Sequence, residues 1–314
     1  MIVVLTGGTG GAKLIQGLLH SVAPENLTVI VNTGDDIDWW GLHVSPDIDS
    51  ILYALAGQLS AQRGWGVEND TFRCLDRMAH FGQPAWFSLG DLDLATHLTR
   101  TNLLRSGKSL SDVTAQLAHG MGISSRVLPM SNDRVATMLD TAQGTLNFQE
   151  YFVRERHQVD VRAVRFEGAE QARPAPGVLE SIESAEAVIL APSNPVTSIG
   201  PILAVPGIRE ALRRTDASVA AVSPIVGGEA VSGPAGALMK RKGWPSTIAG
   251  VAQAYEDFLD VLVVDLEDHA DADHLREGGL HVLCANTVMK SLQDKQELAR
   301  FTLHAALQAR GVKN

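Results

Sequence analysis

The chain opens with a short β-branched run that ends directly in a cluster of glycines. Residues 2–5 are Ile-Val-Val-Leu, residues 6–11 are Thr-Gly-Gly-Thr-Gly-Gly, and apolar residues follow at helical spacing at Leu14 and Leu18. This order predicts a buried strand, a glycine loop and a helix. Such an opening is typical of a parallel α/β sheet, in which each strand is followed by a helix.

Hydrophobic runs followed by small or polar loops recur along the chain. Because parallel strands present their carboxyl ends at one edge of a sheet, these loops are expected to gather there. We therefore predict an α/β fold with a Rossmann-like, doubly wound and mostly parallel sheet. The further predicted strands are residues 27–31, 187–190, 219–222, 261–265 and 281–286.

The organisation expected from these runs is one domain over residues 1–314. Its core sheet would come from residues 1–58 and 180–314, and residues 59–179 would form a helical insertion beside it. Within the insertion, apolar spacing between residues 60 and 135 is mostly helical. Residues 148–166 alternate charged with apolar side chains, which favours a β-hairpin or ribbon.

The amino-acid composition argues against several classes of protein. Of 314 residues, 45% are hydrophobic and only two, Cys74 and Cys284, are cysteines, which argues against a disulfide framework or a thiolate-rich metal site. The formal net charge of −10 argues against nucleic acid as a partner, because non-specific binding to it requires a basic surface. No stretch reaches the roughly 18 uncharged apolar residues of a membrane span, so a soluble, cytoplasmic protein is expected.

The glycine loop is a candidate phosphate site. Glycines let backbone amides approach an anion, and the helix behind them directs its positive end at the same place. The loop matches neither the GxxxxGK[ST] nor the GxGxxG pattern, so a tight structural turn is the alternative. The residues concerned are Gly7, Gly8, Thr9, Gly10, Gly11 and Lys13.

Acidic residues are concentrated in the next loops, at Asp35, Asp36 and Asp38 and again at Asp47 and Asp49. Clustered carboxylates without an intervening basic residue are unfavourable unless a cation shares them, and such oxygen ligands suit Mg²⁺ that bridges to phosphates. The alternative is structural, because Asp47 or Asp49 could cap the following helix.

Two further groups of polar residues could line a site. Asp93, Thr96, His97 and Arg100 share one face if their segment is helical, which makes that face either solvated or the wall of a pocket. Residues 193–195, Ser-Asn-Pro, follow a predicted strand and could bind a base, ribose or phosphate, or form an ordinary prolyl turn. No GxSxG, HExxH or CxxC motif is present, so phosphate binding is the stronger chemical theme.

Eight segments, in order from Met1 to beyond Gly236, resemble the CofD family, the 2-phospho-L-lactate transferases of coenzyme F-420 biosynthesis. The segments are GGTGGAK, NTGDD, HVSPDIDS, RGWGVENDTF, SLGDLDLATHLTRT, LPMSND, LAPSNPVTSIGPIL and SPIVGGEAVSGPAG. The resemblance implies transfer of a phosphate-linked three-carbon acid from a guanosine diphosphate donor to the ribityl hydroxyl of the deazaflavin Fo (7,8-didemethyl-8-hydroxy-5-deazariboflavin). GMP is released and Mg²⁺ is needed. The acid could be 2-phospholactate, phosphoenolpyruvate or 3-phosphoglycerate, and relatives suggest a homodimer.

The same resemblance implies roles for individual residues. Residues 7–13 match the nucleotide-phosphate loop, and Ser193, Asn194 and Pro195 match the segment beside the guanosine. Asp49 matches a position assigned to Fo, and Ser88 stands at the other Fo position, where many relatives carry a basic residue.

Roles for the remaining candidates follow from combining the resemblance with the acidic motifs. Mg²⁺ would bridge the donor to one or more of four aspartates, and Asp49 would be either a ligand or the catalytic base. An apolar wall for the deazaflavin could come from Trp86, Phe87 and Met130. The rival hypothesis is a non-catalytic nucleotide-binding regulator with the same fold. The four aspartates are Asp35, Asp36, Asp47 and Asp49.

Overall fold

The structure is a computed structural model that describes residues 1–309. No helix among these residues has both the length and the apolar character needed to cross a membrane. The strands are β1 (Ile2–Thr6), β2 (Leu27–Val31), β3 (Ile37–Trp39), β4 (Leu42–Val44), β5 (Arg126–Pro129), β6 (Ala136–Thr141), β7 (Gly144–Asn147), β8 (Val161–Glu167), β9 (Ala187–Leu190), β10 (Ser218–Val222), β11 (Ile225–Val226), β12 (Glu229–Ala230), β13 (Val261–Asp265) and β14 (His281–Ala285). The helices are α1 (Gly8–Leu18), α2 (Pro46–Leu55), α3 (Arg73–His80), α4 (Asp91–Arg105), α5 (Leu110–Gly120), α6 (Val178–Glu183), α7 (Ile199–Ala204), α8 (Ile208–Arg214), α9 (Ala235–Arg241), α10 (Ile248–Ala254), α11 (His269–Glu277) and α12 (Leu292–Ala309).

Seven parallel strands form the central sheet, in the order β14-β13-β10-β9-β1-β2-β5. The chain moves outward from β1 to β2 and β5, then returns to the other side of β1 with β9. The order therefore reverses between β1 and β9, which is the switch point of a doubly wound sheet. All six strands predicted from hydrophobic runs lie in this sheet, and the prediction of a Rossmann-like α/β fold is confirmed.

The sheet is buried on both faces, as the hydrophobic character of its strands requires. Alternate residues of β1 point to opposite sides, so that Val3 and Leu5 join one apolar cluster and Ile2 and Val4 join the other. The first cluster is covered by helices from the second half of the chain, and the second by α1, α2, α5 and α12. Two helical layers thus enclose the sheet and leave its carboxyl edge open to loops.

The segment of residues 59–179 differs from the expected helical insertion. It contains α3, α4 and α5, but it also contributes β5, which pairs with β2 at the edge of the central sheet. It further contains an antiparallel sheet in the order β7-β6-β8. The hairpin predicted over residues 148–166 is wrong, because Glu150–Arg154 forms a π-helical turn and the strand that follows pairs with β6.

Helix α12 packs closely against α1 through a glycine. A Cβ atom on Gly17 would lie 2.0 Å from the carbonyl oxygen of Lys295 and 2.9 Å from the Cβ of Ala299. This contact has no room for a larger residue. It holds the beginning of α12 against the end of α1, although the two are far apart in sequence.

Gly17→Ala is expected to destabilise the protein by about 1–3 kcal/mol, because the new methyl group overlaps backbone atoms of α12. Gly120→Ala is the matched control, since a Cβ at that end of α5 would meet no atom within 4 Å. Urea denaturation measures both. Equal unfolding midpoints for the two variants would show that α1 and α12 are not packed this closely.

Candidate functional site

A cavity of about 930 Å³ opens at the carboxyl edge of the sheet. Residues 7–10, which follow β1, and residues 192–194, which follow β9, both line it. These are the loops on the two sides of the switch point, where doubly wound sheets bind their ligands. The volume is within the range of small-molecule sites, so this cavity is the candidate functional site.

The glycines after β1 allow three loops to approach one another. The Ser193 hydroxyl donates to the carbonyl oxygen of Gly7 at 2.7 Å and accepts from the Gly7 amide at 3.3 Å. A Cβ on Gly7 would lie 2.4 Å from an oxygen of Asp47, and one on Gly10 would lie 2.2 Å from the carbonyl oxygen of Pro192. The tight structural turn and the lining of a cavity are therefore both features of this loop.

Two residues of the predicted nucleotide site lie away from the cavity. Gly11 packs against its own strand, where a Cβ would meet the Thr6 hydroxyl at 1.6 Å, and Pro195 is buried. Asn194 and Lys13 do line the cavity. The Asn194 side-chain oxygen accepts from the Val196 amide at 2.9 Å, which shapes the loop after β9.

Asp47 links the loops that follow β1 and β2. One carboxylate oxygen accepts from the Gly8 amide at 2.7 Å, and the other accepts from Asn32 Nδ2 at 2.9 Å. The N-cap of its own helix, α2, is Ser45, so Asp47 caps the first turn of α1 instead. Burial raises the pKa of Asp47 to about 6, although both hydrogen bonds oppose the shift.

Asp35 and Asp36 are held differently. Asp36 lies outside the cavity lining and accepts from the Ser45 hydroxyl at 2.8 Å, with His43 Nε2 at 2.9 Å from the same oxygen. Asp35 lines the cavity, and its Oδ1 has no hydrogen-bond partner among the described residues. Burial and the neighbouring Asp47 raise the pKa of Asp35 well above its usual value. A cation bound by Asp35 and Asp47 would compensate the buried negative charge of the two carboxylates.

Asp49 is paired with Arg100 of α4. The guanidinium contacts both carboxylate oxygens, with Nη1 donating to Oδ2 at 3.1 Å, and the Arg100 side chain is fully buried. His97 Nδ1 lies 3.6 Å from the same Oδ2. The guanidinium contacts both oxygens of the carboxylate. The geometry therefore argues against Asp49 as a metal ligand and as a catalytic base.

Two residues of the predicted polar face of α4, Asp93 and His97, line the cavity, whereas Thr96 and Arg100 are buried outside its lining. His97 Nε2 lies 3.3 Å from Asp93 Oδ1, which also accepts from the Tyr53 hydroxyl at 2.6 Å. Ligand atoms of Asp49, Asp93 and His97 lie within 4.8 Å of one another, so a cation could bind there by distance alone. The Arg100 guanidinium already supplies positive charge at that place, which makes Asp35 and Asp47 the better candidates.

The apolar part of the cavity differs from the expected wall. Phe87 lines it, as does Ser88, whereas Met130 is fully buried in the core and Trp86 packs edge-on against Trp39. Four further aromatic residues that the sequence did not indicate also line the cavity: Tyr53, Trp65, Phe148 and Phe152. The last two are stacked, with ring centroids 5.4 Å apart and an interplanar angle of 8°.

Two lysines in the last part of the chain were also missed. Lys290 precedes α12 and Lys295 lies in its first turn, and both line the cavity with Lys13 of α1. Nothing in their local sequence indicates this role, because only the packing of α12 on α1 brings them to the switch point.

The strand order and this cavity define an α/β protein of the doubly wound class with its site at the switch point. A family model described as 2-phospho-L-lactate transferase CofD matches residues 2–295. The chain therefore belongs to the CofD family, as the sequence motifs indicated.

Individual relatives agree with the family assignment. A 2-phospho-L-lactate transferase of Methanosarcina mazei is 44% identical over 304 residues, which cover 97% of this chain and all of the relative. A phosphoenolpyruvate transferase of Streptomyces griseus is 42% identical over 315 residues, which cover 98% and 99% of the two chains. A solved UPF0052 protein of Bacillus halodurans shares the fold with a TM-score of 0.64 at 17% identity, covering 96% of this chain and 98% of that one.

The raised pKa values of Asp35 and Asp47 predict a pH dependence of stability in metal-free buffer. A carboxyl group whose pKa is higher in the folded state than in the unfolded state stabilises the folded state at low pH. This stabilisation is complete below the unfolded-state pKa of about 4 and is lost as the pH rises through the folded-state pKa. Asp35→Asn removes one such charge. Its urea midpoint should exceed that of the unchanged protein at pH 8 and approach it near about pH 4.

Added Mg²⁺ should raise the thermal midpoint of the unchanged protein more than that of Asp35→Asn, because a ligand that binds only the folded state stabilises it. The control is Asp38→Asn, at an exposed position in the same region. An Asp35→Asn variant that responds to pH and Mg²⁺ as Asp38→Asn does would contradict the assignment of a cation to Asp35.

Arg100→Met is expected to cost about 3–5 kcal/mol of folding free energy, because it leaves the buried Asp49 carboxylate without its cation. Arg105→Met on the same helix should change stability by less than about 1 kcal/mol, since Arg105 is exposed and donates to the Gly41 carbonyl oxygen. Denaturant titration compares the two. Similar losses would mean that the Asp49–Arg100 pair is not a buried ion pair.

Proposed function

We propose that the protein transfers a phosphate-linked three-carbon acid from its guanosine diphosphate-activated form to the ribityl hydroxyl of Fo, with release of GMP and with Mg²⁺ as cofactor. The observation that carries the proposal is the meeting of the glycine loop, Asp35, Asp47 and Asp49 in one cavity at the switch point. Family membership supports transfer chemistry, and the names of the relatives support 2-phospholactate and phosphoenolpyruvate as donors. 3-Phosphoglycerate is the third donor to be tested.

The glycine loop would bind the donor diphosphate. The Gly7 and Gly8 amides already donate to Ser193 and Asp47, so they hold the loop in place. We assign the diphosphate to the next two residues, Thr9 and Gly10, which line the cavity at the beginning of α1. The helix dipole favours negative charge at this position.

Asp35 and Asp47 would hold Mg²⁺. The suitability of these two side chains as ligands rests on the Asp35 oxygen, which has no hydrogen-bond partner among residues 1–309. It rests also on the raised pKa values of both carboxyl groups, which reflect their burial. When bound, Mg²⁺ supplies electrostatic stabilisation of the charge on the phosphoryl oxygens and on the departing GMP. Asp36 lies outside the cavity lining and Asp49 is paired with Arg100, so we do not assign them as ligands.

Asp49 would orient the acceptor. The ribityl hydroxyl oxygen forms a new bond to the phosphorus of the three-carbon acid, the bond between that phosphorus and the GMP oxygen breaks, and GMP leaves with the electron pair. The ion pair with Arg100 holds the Asp49 carboxylate in one position. From there the carboxylate accepts the hydrogen bond of the attacking hydroxyl. Orientation contributes more here than proton abstraction, because the transition state of phosphoryl transfer is loose. The hydroxyl proton then passes to solvent.

The aromatic side of the cavity would bind a planar ring. Phe152 is 39% exposed and stacks on Phe148, and Phe87 and Trp65 belong to the same lining. Such side chains offer ring faces and edges to a deazaflavin or a guanine.

The test is a coupled reaction in which purified protein, Mg²⁺ and Fo receive GTP, the guanylyltransferase that activates the acid, and each of the three acids in turn. Mass analysis should detect a deazaflavin enlarged by the phospho-acid with at least one donor. If no donor gives product and Fo does not bind in calorimetry, the transferase proposal is wrong and a nucleotide-binding regulator takes its place.

Asp49→Asn should lower the transfer rate by about 10²-fold or more, because the amide has one acceptor oxygen where the carboxylate has two, and its NH2 group cannot accept from Arg100 or from the attacking hydroxyl. Asp38→Asn should transfer at the unchanged rate. Thermal unfolding shows whether each variant is folded. A folded Asp49→Asn protein with full activity would remove Asp49 from the site.

A further inference from the structure

Lys295 is held against the last turns of α1, the helix that begins at the glycine loop. Its ammonium donates to Gln16 Oε1 at 2.7 Å, and its backbone is held against Gly17 by the close helix packing. Lys13 precedes Gln16 by three residues, so the two lie on the same face of α1. Two ammonium groups from distant parts of the chain thus meet at one side of the cavity.

No carboxylate of the described residues forms an ion pair with either lysine. This is notable in a chain with 36 acidic and 26 basic side chains, four of whose aspartates line the same cavity. Burial lowers the pKa of Lys295, and repulsion from Lys13 lowers it further. Adjacent like charges that face a cavity without a counter-ion are unfavourable unless a bound anion shares them.

We propose that Lys13 and Lys295 together form a binding site for a phosphoryl group, distinct from the carboxylates Asp35 and Asp47. The inference rests on the proposed function in taking that phosphoryl group to be part of the activated donor. It assigns a role to α12, whose first turn completes the cavity. The site divides the cavity into an acidic part that suits a cation and a basic part that suits an anion.

Two phosphoryl groups of the donor share this chemistry: the one next to guanosine and the one attached to the three-carbon acid. GMP carries only the first, phosphoenolpyruvate carries only the second, and GDP carries a diphosphate. Comparing these three probes therefore distinguishes the two sources.

The experiment is calorimetric titration of the full chain with GDP, GMP and phosphoenolpyruvate in the presence of Mg²⁺. Lys295→Gln should weaken GDP binding about tenfold, the loss expected for one charge-assisted contact, and should reduce its dependence on salt. Lys13→Gln should behave alike, and Lys295→Arg should retain most of the affinity. The matched control is Lys108→Gln, at an exposed lysine that contacts Gln116. Thermal unfolding confirms that each variant folds.

Loss of affinity for GMP as well as GDP would assign the site to the phosphate next to guanosine, and loss for phosphoenolpyruvate would assign it to the acid. Unchanged affinity of Lys295→Gln for all three probes, or no binding of any probe by the unchanged protein, would overturn the inference. If binding depends on Lys295 but no acid is transferred to Fo, the phosphoryl site stands and the proposed function fails. If the unchanged protein transfers the acid to Fo and Lys295→Gln binds all three probes with unchanged affinity, the proposed function stands and the phosphoryl site of Lys13 and Lys295 does not.

Discussion

The two hydrogen bonds of the Asp47 carboxylate are the contact on which the candidate site depends. They join the Gly8 amide after β1 to the Asn32 side chain after β2, and they reach across from the beginning of α2. Gly7 must lack a side chain for this carboxylate to fit, because a Cβ there would overlap it. The glycine loop is therefore a packing requirement as well as the proposed binding site of an anion, and one carboxylate sets its geometry.

The site separates charges that would otherwise cancel. Asp49 is neutralised by the buried Arg100, and Asp36 contacts His43. Within residues 1–309, no ion pair of this kind involves Asp35, Asp47 or the two lysines of α1 and α12. Buried or crowded charges that the protein leaves uncompensated are the ones that ligands compensate. A donor that carries a diphosphate and brings Mg²⁺ would supply both signs at once, which is the physical reason for proposing phosphoryl transfer in this cavity.

The features predicted from sequence are the local ones. The β-branched run before the glycines predicted β1 and α1, and the hydrophobic runs predicted six strands of the sheet. Strand β5 was missed because it has only four residues, ends at Pro129 and follows three helices. The Asp49–Arg100 pair spans 51 positions, and the approach of Lys295 depends on the packing of two helices, so no local pattern could indicate either. The expected homodimer stays a prediction.

The most direct test of the account is a crystal structure of the protein with GDP and Mn²⁺, in which anomalous scattering locates the metal. We expect one Mn²⁺ bound by Asp35 and Asp47 and a diphosphate against Thr9 and Gly10 at the switch point. Metal density beside Asp93 and His97, or a nucleotide bound away from the loops after β1 and β9, would contradict it.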